Sequence, residues 1–106
     1  MATNVFISQP MKGKTDQEII GEREHAKDFL TGLLKEPIEL IDSNFNTYIQ
    51  LKTDKSERTN AMLLAKALVA MATSDIVFFC RGWKDARGCL IEHEVARRYG
   101  ITIIEE

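Results

Sequence analysis

The sequence predicts an α/β fold, a flavodoxin-like three-layer sandwich whose parallel sheet has about four strands in the order 2-1-3-4. Strand-like runs alternate with helical patterns as β-α-β-α-β-α-β, which predicts parallel strands with helices on both faces. The apolar run Ile76–Cys80 is unbroken, as is typical of a central strand that is buried on both sides. The chain has 106 residues, which is the length of one domain, so we predict a single domain over 1–106.

The first strand and helix have clear sequence signals. Val5–Ile7 is typical of a short buried strand, and the loop Ser8–Lys14 follows it. Thr15 begins a helix because Glu18, three residues later, completes a capping box. We expect this helix to reach about Lys35. Its predicted inward stripe contains Ile19, Ala26, Leu30 and Leu33.

The middle of the chain is partly irregular. Residues 38–41 form a second strand, which we place at the sheet edge. The segment 42–58 has little pattern and is long for a loop, so it is functional or contains a helical turn. Residues 60–73 are helical and apolar nearly all round, with only Lys66 interrupting. One side of this helix can face the sheet, and we expect the other to face a second copy of the chain.

The last helix carries the most informative residue, Glu92. The helix follows the loop 81–86 and ends at Gly100, and the strand 101–104 comes next. At about 100° per residue, Glu92 falls in the middle of the inward stripe. That stripe is predicted to contain Gly88, Ile91, Val95, Ala96 and Tyr99, with His93, Glu94, Arg97 and Arg98 on the opposite face. Burying a carboxylate is costly, so Glu92 is either a structural ion pair, a rim position or an active-site carboxylate.

Composition narrows the function classes. The net charge is −2, which gives no electrostatic footprint for a nucleic acid polymer or an anionic membrane. No signal peptide or membrane span is recognisable, so we expect a cytoplasmic protein. Cys80 and Cys89 fit reduced thiols rather than a disulfide. His25 and His93 are both expected to project outward without partners at metal spacing, so we predict no metal site and no cofactor.

The predicted topology places a ligand site near Glu92. In the order 2-1-3-4 the switch point lies between strands one and three, and ligands bind there at the carboxyl ends of the strands. The loops at that point are 8–14 and 81–86, and the helix after the second loop carries Glu92.

The first loop resembles a phosphate-binding turn. Residues 8–15 nearly match a Walker A motif, with Ser8 where glycine is usual. No acid ends the third strand, so neither an NTPase magnesium site nor a response-regulator phosphorylation site is predicted. Gly13, Lys12 and Lys14 still suit a phosphate or another anion at a helix start, or else form an ordinary solvated turn.

Two further residues have open interpretations. Arg23 falls on the inward stripe of the first helix, where its guanidinium could hold Glu92, another acid or a ligand, or snorkel to water. Trp83, beside Gly82, could flank a nucleobase or a sugar, or cap the core.

These segments together resemble the nucleoside 2-deoxyribosyltransferase-like superfamily, especially its small bacterial and phage members. The likeness rests on Val5–Gly13, Ser74–Val77 and Gly82–Ala96, and is weakest over 44–58. It implies cleavage or transfer at the N-glycosidic bond of a (deoxy)nucleoside or its 5′-monophosphate. The family's nucleophilic glutamate lies four residues after a helix-opening glycine, which here gives Gly88 and Glu92. It also implies that the first loop contacts sugar or phosphate and that the protein is oligomeric. That loop contains Ser8, Gln9, Pro10, Met11, Lys12 and Gly13.

The chain departs from the family pattern at two positions. The aspartate that protonates the leaving base aligns with Ala67, and no acid lies between Asn60 and Thr73. In the family, a serine often lies just before the glycine of the last helix. In this chain that neighbourhood is Ala86–Arg87. Asp85 or Asp42 is our candidate for the missing acid. Three hypotheses follow: an N-glycosidase or deoxyribosyltransferase-like enzyme, a nucleotide-sensing module without catalysis, and an interaction protein that docks through the apolar helix.

Overall fold

The computed structural model describes residues 2–41 and 57–106. Four strands form one all-parallel sheet in the order β2-β1-β3-β4, which confirms the predicted topology. The strands are β1 (Thr3–Ser8), β2 (Ile38–Leu40), β3 (Ile76–Phe79) and β4 (Thr102–Glu105). The helices are α1 (Asp16–Leu34), α2 (Glu57–Ala72) and α3 (Arg87–Arg98), and a 3-10 turn spans Trp83–Asp85.

The helices cover the two faces of the sheet unequally. Successive β1 residues alternate between two cores, as the period of a strand requires: Val5 and Ile7 face α1, whereas Phe6 faces α2 and α3. Within β3, Phe78 faces α1 and Phe79 faces α2 and α3. One helix therefore covers one face, and two helices cover the other.

The predicted inward stripes are wrong at three positions. Leu33, Ile91 and Tyr99 are exposed, Tyr99 to 80 %. The buried face of α3 runs through Cys89, Glu92 and Ala96, so Ile91 lies roughly 130° from its centre. Tyr99 is the C-cap residue and Leu33 lies in the last turn of α1, so both are at helix ends.

No helix among the described residues combines the length and the hydropathy that a membrane span requires.

Candidate active site

Glu92 is buried, as the sequence predicts, and its partner is neutral. It lies in the second turn of α3 and is 8 % exposed. The Ser8 hydroxyl donates a hydrogen bond of 2.6 Å to Glu92 Oε1. Ser8 is the last residue of β1, so this bond joins α3 to the carboxyl end of the strand at the switch point.

Burial raises the pKa of the Glu92 carboxyl group. The loss of water around Glu92 raises its pKa from 4.5 to about 7, and the Ser8 hydrogen bond opposes that rise because it stabilises the ionised form. The group is therefore about half ionised at neutral pH. A carboxylate with a pKa near 7 can act as a nucleophile or exchange protons at physiological pH.

Cys89 completes a buried cluster with Ser8 and Glu92. Its side chain lies one turn before Glu92 on the same face of α3 and within hydrogen-bonding reach of Ser8. Burial raises the pKa of the Cys89 thiol to about 11, so the sulfur stays protonated and is a poor nucleophile at neutral pH. The carboxylate of Glu92 is thus the group in this cluster that can carry nucleophilic chemistry.

The first turn of α3 has no side-chain cap. Its N-cap residue is Ala86, which has no side chain to accept a hydrogen bond from the first turn, and that turn contains no acidic residue. A Cβ built on Gly88 meets nothing within 4 Å, although Gly88 is only half-exposed. Gly88 lies one turn before Glu92, so the open position lies on the turn of α3 that precedes the carboxylate.

The first loop is more self-contained than its sequence indicates. The Thr15 side chain accepts from the Glu18 backbone, and Glu18 Oε1 accepts from the Thr15 backbone at 3.1 Å, which confirms the capping box. Lys14 Nζ is bound to Glu22 Oε2 at 2.7 Å, so one of the two predicted anion-binding lysines is already paired. Gly13 has φ +79°, so this turn does require a glycine.

The other candidate residues of the first loop differ in how deeply they are buried. Gln9 is buried, and its Nε2 donates to the Ile19 carbonyl at 3.2 Å, whereas its Oε1 is buried without a partner among the described residues. Pro10 and Met11 are half-buried, and Lys12 is exposed. The Pro10 ring lies 3.7 Å from a Cβ built on Gly82, so the loops 8–14 and 81–86 adjoin.

Trp83 packs in the core, as one of its two interpretations expects. It is 9 % exposed and packs on Phe79 with ring centroids 5.3 Å apart. Its ring stacks on His93 at 4.2 Å and 11°. The prediction that His93 projects outward is wrong, because His93 lies only roughly 70° from the centre of the buried face. The other histidine, His25, is exposed as predicted.

The remaining candidates have no hydrogen bond to Glu92 among the described residues, or lie outside those residues. Asp85 is exposed at the end of the 3-10 turn. Arg87, the first residue of α3, forms an ion pair with Glu57 at 2.9 Å and lowers the pKa of that carboxyl. Arg23 is half-buried and has an interaction partner. It lies on α1, which covers the face of the sheet opposite to α3. Asp42 lies outside the described residues.

Glu92 lines neither of two cavities that lie among the described residues. A polar cleft of about 550 Å³ lies on the α1 side of the switch point and includes Lys14, Glu22, Cys80 and Arg81 in its walls. An apolar groove of about 340 Å³ lies between α2 and α3.

Sequence reasoning found Glu92 and Ser8 but did not find their bond, nor the contacts of Cys89 and His93. The signal for Cys89 was available, because a residue three before Glu92 shares its helix face. Within the described residues, no group of three potential metal ligands comes together. Neither a family model, a curated protein nor a solved structure matches the chain.

Proposed function

We propose that this protein cleaves or transfers the N-glycosidic bond of a (deoxy)nucleoside or nucleoside 5′-monophosphate, with Glu92 as the nucleophile. The observation that carries the proposal is a buried carboxylate hydrogen-bonded to Ser8 at the carboxyl end of β1. An acid in this position reduces stability when it ionises, which favours a functional role over a structural one. The likeness of Gly82–Ala96 to the deoxyribosyltransferase-like superfamily supports the choice of reaction.

The chemistry proceeds in two displacements. An oxygen of the Glu92 carboxylate bonds to C1′ as the C1′–N bond breaks, and the electron pair of that bond goes to the base. The departing base takes a proton. Water, or a second base, then attacks C1′ and releases the carboxylate, which regains its negative charge as the C1′–O bond breaks. With water as the acceptor, its second proton goes to solvent.

No buried acidic residue on α2 is available to protonate the leaving base. Ala67, at the position of the family's aspartate, is buried in the core between α2 and the sheet. Asp85 is exposed, and the hydrogen bonds of the described residues do not join it to Glu92. We therefore expect slow turnover, with protonation by water or Asp85, and substrates whose bases leave readily.

Base release from a panel of deoxynucleosides and their monophosphates tests the proposal. Wild-type protein should release free base from at least one member, and Glu92→Ala should lower the rate by about 10³-fold or more because the nucleophile is lost. The matched control is Glu24→Gln, which changes an exposed carboxylate on α1 and should leave the rate unchanged. Equal rates for Glu92→Ala and wild type would reject Glu92 as the nucleophile.

The pH profile gives a second test. Only ionised Glu92 attacks, so kcat/KM should rise as pH increases through about 7 and then level off. A profile that is already flat between pH 5 and 8 would show that ionisation of Glu92 does not limit the reaction.

The second candidate function is a nucleotide-binding module that senses its ligand without cleaving it. The buried Ala67 favours this alternative because it removes the family's proton donor. A thermal shift with a nucleotide and no base release would support it, since binding that contributes 1 kcal/mol raises Tm by roughly 4–8 °C at this size. The absence of any shift across the panel would reject it.

We also propose that the protein is a homo-oligomer that associates through the helix 60–73. Within α2, Met62 and Val69 are exposed, Val69 to 69 %. The apolar groove beside them is lined by Leu68, Met71, Ala72, Val95, Tyr99 and Ile101. Sedimentation at micromolar concentration should give a dimer, and Val69→Glu should give a monomer. A wild-type monomer would reject this surface as the interface.

A further inference from the structure

Two consecutive residues of α3 contact opposite sides of the central strand β3. Ser8, Phe79 and Glu105 are in register across β1, β3 and β4, so they form one row at the carboxyl edge of the sheet. Glu92 is bonded to Ser8 at one end of this row. His93 Nε2 is 2.7 Å from Glu105 Oε2 at the other end.

The middle of the row also contacts His93. The imidazole meets the Phe79 ring edge-on, with centroids 4.8 Å apart and an interplanar angle of 61°. Its flat face lies on Trp83, in the turn that leads into α3. His93 is therefore fixed by the end of β4, the end of β3 and the preceding turn.

We propose that His93 is a positioning residue that sets the rotation of α3 and so directs the Glu92 carboxylate to Ser8. Consecutive helical residues lie about 100° apart, so a helix with His93 fixed towards β4 has Glu92 directed towards β1. If the helix turned about its axis, both contacts would break together. This inference concerns the geometry of Glu92 and does not require that the proposed reaction occurs.

The charged groups around the two side chains are few among the described residues. Glu105 faces His93 from β4, and Lys84 Nζ lies 5.7 Å from the Trp83 ring centroid on the preceding turn. On the other side, Ser8 faces Glu92 from β1, and Lys14 acts electrostatically on the adjacent Cys89. A change at His93 can thus reach Glu92 through helix rotation more readily than through charge.

The test is the titration of Glu92 by NMR in protein labelled with ¹³C at the glutamate carboxyl groups. Glu92→Gln identifies the resonance by its absence. In wild type this group should titrate near 7. In His93→Ala and in Glu105→Ala, which each remove one partner of the His93–Glu105 contact, it should titrate at least about one unit lower, towards the ordinary value, because a rotated helix exposes the carboxylate to water.

Conservative and matched variants separate positioning from a loss of packing. His93→Gln, which can still donate to Glu105, should restore part of the wild-type titration. His25→Ala removes the exposed histidine of α1 and should leave Glu92 unchanged. The emission of Trp83, the only tryptophan, reports on the turn and should shift to the red in His93→Ala.

An unchanged Glu92 titration in both folded His93→Ala and folded Glu105→Ala would overturn the inference. If His93→Ala does not fold, Glu105→Ala alone decides. No substrate is present in these measurements. A titration that moves as expected in a protein that releases no base would leave the positioning role intact and reject the proposed reaction.

Discussion

The starts of α1 and α3 lie at the same edge of the sheet and differ in almost every respect. The first turn of α1 is closed by the reciprocal Thr15–Glu18 bonds and carries two acids, Asp16 and Glu18. The first turn of α3 has an alanine N-cap and no acid, and the buried Glu92 follows in the second turn. The start of α1 follows the rules for a stable helix, whereas the start of α3 departs from them.

This difference indicates where the function lies. Natural sequences violate local stability rules mainly at functional sites. The first loop resembles a phosphate-binding turn in sequence, yet the Glu18 amide is capped and Lys14 is paired. The α3 start combines uncapped geometry, open space at Gly88 and a carboxylate whose pKa is raised by burial. We therefore propose that the chemistry takes place on the α3 side of the switch point.

Glu92→Gln should have the largest effect on stability. The pKa of Glu92 is about 7 in the folded protein and near 4.5 when unfolded, so the folded state binds the proton more tightly. The free energy of unfolding is then highest below pH 4.5 and falls as pH rises through about 7. Ionisation of Glu92 therefore lowers the free energy of unfolding by about 3 kcal/mol. Glu92→Gln should remove most of that loss.

Urea unfolding of both proteins at pH 4, 6 and 8 measures this effect. The variant should be close to wild type at pH 4 and more stable at pH 8. Glu24→Gln, with an exposed carboxylate, should show no such divergence. If Glu92→Gln were destabilising at pH 8, the ionised carboxylate would be stabilised by its surroundings, and the contrast with α1 would fail.

Thr15→Ala tests the closed helix start. Removing the capping hydroxyl should lower the free energy of unfolding by about 1 kcal/mol, because the Glu18 amide loses its acceptor. Base release should be unaffected. Thr31→Ala is the control, since its exposed hydroxyl bonds only to the Lys27 carbonyl within the same helix. If Thr15→Ala lowered kcat/KM, the start of α1 would take part in the reaction and belong to the site.

Ala86→Ser tests the open helix start and should have the smallest effect. The backbone of Ala86 has φ −113° and ψ 121°, which already suits an N-cap residue, so a serine can cap α3 without rearrangement. We expect a gain of about 0.5–1 kcal/mol in urea unfolding. Base release should become slower, because the added hydroxyl occupies amides at the approach to Glu92.

A stabilised Ala86→Ser protein that releases base at the wild-type rate would show that the uncapped amides take no part in the reaction.

The sequence by itself determined the class of fold and the burial of Glu92. Alternating apolar runs and helical patterns predict a parallel sheet because parallel strands need crossover helices, whereas the order 2-1-3-4 was a choice among the orders that this pattern allows. The angular position of Glu92 on an amphipathic helix placed its carboxylate on the sheet side, as the structure confirms. Both properties depend on local periodicity, which a sequence states directly.

Only the tertiary structure decided which groups meet at the carboxyl edge. The row Ser8, Phe79 and Glu105 depends on the register of three strands that are far apart in the chain. Helical periodicity left His93 on the outer face, but a stack on Trp83 and a bond to Glu105 hold it at the margin of the core. Contacts of this kind arise from the packing of α3 against strands on both sides of β3, and no local pattern encodes that packing.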